Sequence, residues 1–159
     1  MTKDLATALA CADVLDRIDV IATVASDPET SRPTLLRIMS DPESPLVARL
    51  WAMVAITVIG NDESGLTARA LAQSLSAPEP VIRRCAIETL GFLQVASAVP
   101  QITRHLSDEA AIPEAWFDDT STPARAGRRA LEAIGTPAAL EALRRRYPVL
   151  AEPPAARPA

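Results

Sequence analysis

Apolar positions recur along this chain at helical spacing. "LVARLWAMVAITVIG" (46–60), "VIRRCAIETLGFLQ" (81–94) and "ARAGRRALEAIG" (124–135) each carry small or aliphatic residues at intervals that line one face of an α-helix. A shorter run follows each of them: "GLTARALAQSLS" (65–76), "AVPQITRHLS" (98–107) and "AALEALRRRY" (138–147). The spacers "NDES", "VAS" and "TP" divide the members of each pair, so each pair reads as helix, tight turn, helix. A fainter pair precedes them, with a first helix in "ADVLDRIDVIATVAS" (12–26) and a second in "TLLRIMS" (34–40). No segment alternates apolar and polar residues as a half-buried strand does. The pattern predicts an all-α chain.

The spacing between pairs is itself regular. "SDPE" occurs at 26–29 and 40–43, "SAPE" at 76–79 and "SDEA" at 107–110, each directly after an apolar run. Ser and Asp favour turns and caps, and Pro cannot continue a preceding helix, so these tetrapeptides read as helix stops. Steps of 36 and 31 residues separate the last three, a period that two helices fill in an α-solenoid. Aligned on this period, Ala52, Ala86 and Gly127 coincide, as do Ile56, Leu90 and Leu131, then Ile59, Leu93 and Ile134. Gly60 and Gly135 fall together at the C-terminal cap, where a left-handed backbone suits glycine, and Gln94 takes that place in the middle repeat.

The chain at this level resembles the HEAT-repeat family, in particular the short bacterial HEAT-like repeats named after phycobilisome lyases. The residues that carry the resemblance are "VIRRCAIETLGFLQVASAVPQITRHL" (81–106) and "RRALEAIGTPAALEAL" (128–143), with a looser match over 46–76. It implies a right-handed, armadillo-like superhelix of about four antiparallel helical hairpins, over a domain spanning 1–150. It also implies that the arginines near the start of each first helix (Arg49, Arg83 or Arg84, Arg125) bond to the turns between repeats. The second helices would line the concave face, presenting Arg69, Gln73, Gln101, Arg104, His105, Arg144 and Arg145. The family motif consists of packing residues and names no chemistry.

Composition narrows the picture. Apolar residues make up 48% of the 159-residue chain but aromatics only 3%, so the core must be aliphatic and alanine-rich. Residues 1–80 hold six basic and eleven acidic side chains, whereas 120–159 hold seven Arg and three Glu. Such an acidic front and basic back give the surface a polarity and do not describe a general nucleic-acid binder. Arg144, Arg145 and Arg146 sit where cations favour a helix C-terminus and where a solenoid needs a polar end cap. Cys11 and Cys85 lie in helical runs without a Cys-x-x-Cys partner and read as small buried hydrophobes. The acidic N-terminal stretch is unlike a secretory leader, and no apolar run is long enough to span a bilayer; the expectation is a cytoplasmic protein.

Candidate chemistry is sparse. His105 is the one histidine. The sequence has no glycine-rich phosphate loop, no nucleophile elbow and none of the paired His-Glu motifs that mark HEAT-repeat di-iron hydroxylases. No cofactor and no catalytic residue is expected. A lyase-like or cofactor-handling enzyme is the rival reading, and weak nucleic-acid binding through the C-terminal arginines is a further one.

One junction breaks the period. First helices are offset by 34 residues and then by 41, which confines an insertion of about seven residues to 108–123. It contains "IPEAWFDDTSTP", with Trp116 and Phe117 flanked by Glu114, Asp118 and Asp119. These aromatics read either as a plug over neighbouring helices or as an anchor for a partner protein. Together with Gln101, Arg104, His105, Arg144 and Arg145, residues Trp116, Phe117, Asp118 and Asp119 make up the candidate binding surface of a protein-interaction scaffold. The tail 151–159, "AEPPAARPA", has no apolar periodicity and is expected to be flexible.

Overall fold

A computed structural model gives the fold and describes residues 2–11, 13–113 and 122–148. Over these residues the chain is all-α, with nine α-helices and one 3-10 turn and no strand. They are α1 (Thr2–Ala10), α2 (Val14–Ser26), α3 (Pro28–Ser40), α4 (Leu46–Ile59), α5 (Leu66–Ser74), α6 (Pro80–Phe92), the 3-10 turn Ala96–Ala98, α7 (Val99–Arg104), α8 (Pro123–Ile134) and α9 (Pro137–Arg146).

The prolines that read as stops also start helices. Pro28, Pro80, Pro123 and Pro137 each occupy the first position of α3, α6, α8 and α9. Proline suits that position because its fixed φ is helical and its missing N–H would have no intrahelical acceptor. The residue before it caps the helix in three of the four cases: Asp27, Thr122 and Thr136 accept from the backbone N–H groups of Thr30, Arg125 and Ala139. As a result α3 runs back to Pro28, six residues earlier than the apolar pattern indicates, through an internal proline at 33. Pro33 lacks the N–H that would bond to the Glu29 carbonyl, and both residues are exposed. Helix α1 is the one element that the spacing does not separate from its surroundings; Leu9 on it is fully buried.

Helices α4, α6 and α8 lie in series, α6 packing against both neighbours. Alongside them α3 packs on α4 and α5, α5 on α6, and α7 on α8 and α9, while α1 and α2 close the N-terminal end against α4. The aligned positions are those that pack: Ala52, Ala86, Ile56, Leu90 and Leu131 have no accessible surface, and Gly127 is buried beside Leu106. Helices α6 and α8 approach closely at Gly91, where a methyl group would sit 2.6 Å from both Cα and Cβ of Ala130. Gly60 and Gly135 hold positive φ at the ends of α4 and α8, and Gln94, aligned with them, is forced to φ 51 at the same point of the fold. Gln94 Nε2 offsets part of that strain by donating to the Ala133 carbonyl at 3.2 Å.

Cys85, on α6, is a free, half-buried thiol packed against the core. Burial pushes its thiol up to about 12, with Glu88 adding to the effect and Arg84 offsetting part of it. A thiol reagent at neutral pH should therefore modify native protein at Cys11 only, and reach both cysteines after denaturation. Mass spectrometry of labelled native protein checks this; fast native modification of Cys85 would contradict the packing described.

Candidate interaction surface

Arginines near the start of the first helices tie consecutive turns together. Arg49, 6% exposed, donates from Nε to the Met39 carbonyl at the end of α3 and from Nη1 to Glu79 Oε1 at 3.1 Å, just before α6. Arg83 repeats the arrangement one repeat later. Its Nη1 donates to the Ala77 and Pro78 carbonyls, and its Nε and Nη2 grip both oxygens of Asp108 at 2.8 and 3.1 Å. The acids of the "SAPE" and "SDEA" turns are thus the partners of an arginine in the preceding first helix. A planar guanidinium can span two turns in this way because its donors point in several fixed directions. Arg125 departs from the pattern and is exposed. Arg32, buried like Arg49, joins α3 to the end of α4 and the start of α5 by donating to the Gly60 carbonyl at 2.7 Å and to Thr67 Oγ1 at 3.2 Å.

Two carboxylates titrate low, Asp108 through its arginine tie and Asp62 through hydrogen bonds around its own turn. Hydrogen bonding by Arg83 outweighs burial at Asp108, and His105, the Ala110 N–H and the Arg83 charge add to it, holding the carboxyl below its ordinary range. At Asp62 burial raises the pKa, but bonds from Ser64, Thr67 and the Leu66 N–H together bring it well below normal. Asp62 thereby satisfies the first amides of α5.

His105 belongs to the Asp108 cluster. Its Nδ1 lies 3.3 Å from Asp108 Oδ2, and its side chain is 19% exposed. This geometry orients an imidazole at the α7–α8 junction, where Asp108 already serves Arg83. Asp108 also anchors the base of the insertion: its carbonyl accepts from the Ala124 N–H at 3.0 Å, and Thr122 Oγ1 donates to Glu109 at 3.0 Å. The inserted residues therefore leave and return at one point. Trp116, Phe117, Asp118 and Asp119, and Glu114 beside them, lie outside the described residues.

Grooves separate α3, α5, α7 and α9. Arg69, Ala72 and Gln101 line one of about 370 Å³ between α5 and α7, and Gln73 lines one of about 210 Å³ between α3 and α5. The groove between α7 and α9, of about 490 Å³, has Val99, Leu106 and Ala142 beneath and Glu141, Arg145 and Arg146 above. In the amide orientation that suits its neighbours, Gln101 donates to the Ser97 and Ala98 carbonyls. Arg145 pairs with Glu141 at 2.8 Å, and Arg146 donates to the Leu106 carbonyl while its guanidinium lies over the Tyr147 ring. Arg104 and Arg144 are exposed and line none of these grooves. A further cleft of about 390 Å³ gathers Arg125, Arg128 and Arg129 of α8 with Tyr147 and Glu109.

Of the expected surface, the fold thus places Gln101 and Arg145 at grooves, Arg104 and Arg144 in solvent, and His105 in the turn cluster. Asp108 and Glu79 were read only as punctuation. Their signal was present, since each acid follows an arginine-bearing helix by a similar interval. Among the described residues no group of three His, Cys, Asp or Glu side chains is placed to hold a metal ion. No helix among them is long and apolar enough to cross a membrane. No protein-family model matches the chain, and no curated protein is significantly similar to it.

Proposed function

We propose that the chain is a HEAT-like α-solenoid that acts as a non-catalytic protein-interaction scaffold, holding a partner segment along α5, α7 and α9. The series α4, α6, α8, flanked by α3, α5, α7 and α9, supports the solenoid reading, as do the repeated arginine ties. The observation that carries the interaction reading is the α7–α9 groove. An apolar floor with a charged rim suits an extended or helical peptide that offers small aliphatic side chains and carboxylates. The catalytic rival asks for an enclosed pocket with converging polar groups, whereas these grooves are shallow and run between helices.

The test combines affinity capture from the native cell with two groove variants. Ala138→Trp fills the groove from an exposed position, and Arg145→Glu reverses its rim. Each should keep the wild-type melting temperature and lose the wild-type partner, with an affinity loss on the order of 2 kcal/mol for a central contact. Unchanged capture by both variants would exclude this groove as the contact surface. Turnover of a small molecule by purified protein would exclude the scaffold reading altogether.

A further inference from the structure

Arg49 and Arg83 each send a guanidinium to the turn that precedes the next first helix, and each finds a carboxylate there, Glu79 or Asp108. Arg125 stands near the start of the last first helix, α8. The counterpart of that turn is the chain leaving α9 at Tyr147 and Pro148, which brings no carboxylate. Arg125 and Tyr147 line one cleft of about 390 Å³, together with Arg128, Arg129, Ala124 and Glu109. Neither the Arg125 guanidinium nor the Tyr147 hydroxyl has a hydrogen bond or ion pair among the described residues. Arg128 meets Glu132 at 3.5 Å with both side chains about half exposed, a contact weak enough to exchange. Spacing by three and four residues puts Arg125, Arg128 and Arg129 on adjacent turns of one helix face. Like charges so spaced repel, and on other helices the same interval carries opposite charges, as in Arg84 with Glu88 and Glu141 with Arg145.

We propose that this cleft binds the phosphate group of a monoester, an external anion that takes the place filled by Glu79 and Asp108 in the preceding repeats. Three arginines against Glu109 leave two positive charges among the lining residues, which a phosphate dianion balances and a single carboxylate does not. The three terminal oxygens of a monoester can accept from more than one guanidinium fork at once. The Tyr147 hydroxyl adds a neutral donor. The volume lies at the lower end of ordinary ligand sites, which suits a phosphate and the small group that carries it. A phosphorylated side chain and a free phosphate ester present the same chemistry. The site is separate from the α7–α9 groove, and its failure would leave the groove reading standing.

The experiment is calorimetric titration of the full chain at constant ionic strength with inorganic phosphate, a blocked phosphoserine peptide and glycerol phosphate. Each should bind saturably in the millimolar range or tighter. A preference between the last two tells whether the phosphate arrives on a protein side chain or on a small molecule, and either preference fits the site. Dimethyl phosphate, a single-charged stand-in for a nucleic-acid backbone, should bind about tenfold more weakly, as should acetate. Arg125→Gln and Arg128→Gln should each weaken phosphate binding about tenfold, the loss of one charge-assisted contact. Glu109→Gln should strengthen it by removing the opposing charge. Arg144→Gln removes the same charge from a position outside the cleft and should leave binding unchanged. All three arginines are exposed, so their variants should keep the wild-type melting temperature. Absence of saturable phosphate binding, dimethyl phosphate binding as tightly as phosphate, or Arg125→Gln behaving like Arg144→Gln would each overturn the proposal.

Discussion

Alanine at position 91 should destabilise the protein more than the addition of one methyl group normally does. Gly91 faces Ala130 so closely that the new Cβ would lie 2.6 Å from the Cα and the Cβ of that residue. The Cα belongs to backbone, so rotamer changes cannot relieve the contact and α6 and α8 must separate. Their interface includes Leu90 and Leu131, neither with any accessible surface, and separation would loosen both. Overpacking of this kind costs about 1–3 kcal/mol, which for a chain of this size corresponds to roughly 2–12 °C in melting temperature. The upper part of that range is expected. Gly127→Ala is the control: its nearest neighbour is the flexible Leu106 Cδ2 at 3.3 Å, and alanine improves helix propensity by about 1 kcal/mol. It should be close to neutral. Adding Ala130→Gly to Gly91→Ala should recover part of the loss by removing the Cβ contact. Thermal unfolding of the four proteins decides the matter, and a Gly91→Ala protein as stable as wild type would refute the close α6–α8 crossing.

The same crossing shows how far the sequence alone reaches. The small position that alignment singled out on α8 was Gly127, and it is buried; the tighter contact uses Gly91, which the alignment passed over. Periodicity marks which face of a helix is apolar, but the point where two helices touch most closely depends on their crossing angle. The conformation of Gln94 was legible in outline, because it stands where Gly60 and Gly135 cap their helices, and it adopts the positive φ of that position. The length of α3 was not, because Pro33 inside a helix breaks the pattern by which helices are recognised. For the candidate surface the limit is different. A turn acid and a helix arginine are each ambiguous in sequence, and only the fold shows that Arg83 and Asp108, 25 residues apart, form one unit. His105 read as a groove residue because its helix was right; its direction depended on Asp108 across the turn.

That unit gives the second large effect. Asp108→Asn should cost about 2–4 kcal/mol, somewhat below the roughly 3–5 kcal/mol of breaking a fully buried pair, since Arg83 and Asp108 keep 15% and 17% side-chain exposure. The loss comes mainly from leaving the Arg83 guanidinium without its two charged acceptors, while its bonds to Ala77 and Pro78 remain. An Arg83→Met, Asp108→Asn double variant should be less unstable than the sum of the single changes, since the second substitution removes a charge already stranded by the first. The pair also sets a pH dependence. Asp108 binds its proton less tightly in the folded protein than in the unfolded chain, whose aspartates titrate near about 3.9. Its contribution is therefore fully present above that value and is lost as pH falls from there through the lower folded pKa. Denaturant unfolding of wild type at a series of acidic pH values should show this decline, and Asp108→Asn should have a shallower one. Equal slopes in the two proteins would mean that Asp108 does not carry the linkage, and that the tie between the α6, α7 and α8 turns is weaker than its geometry indicates.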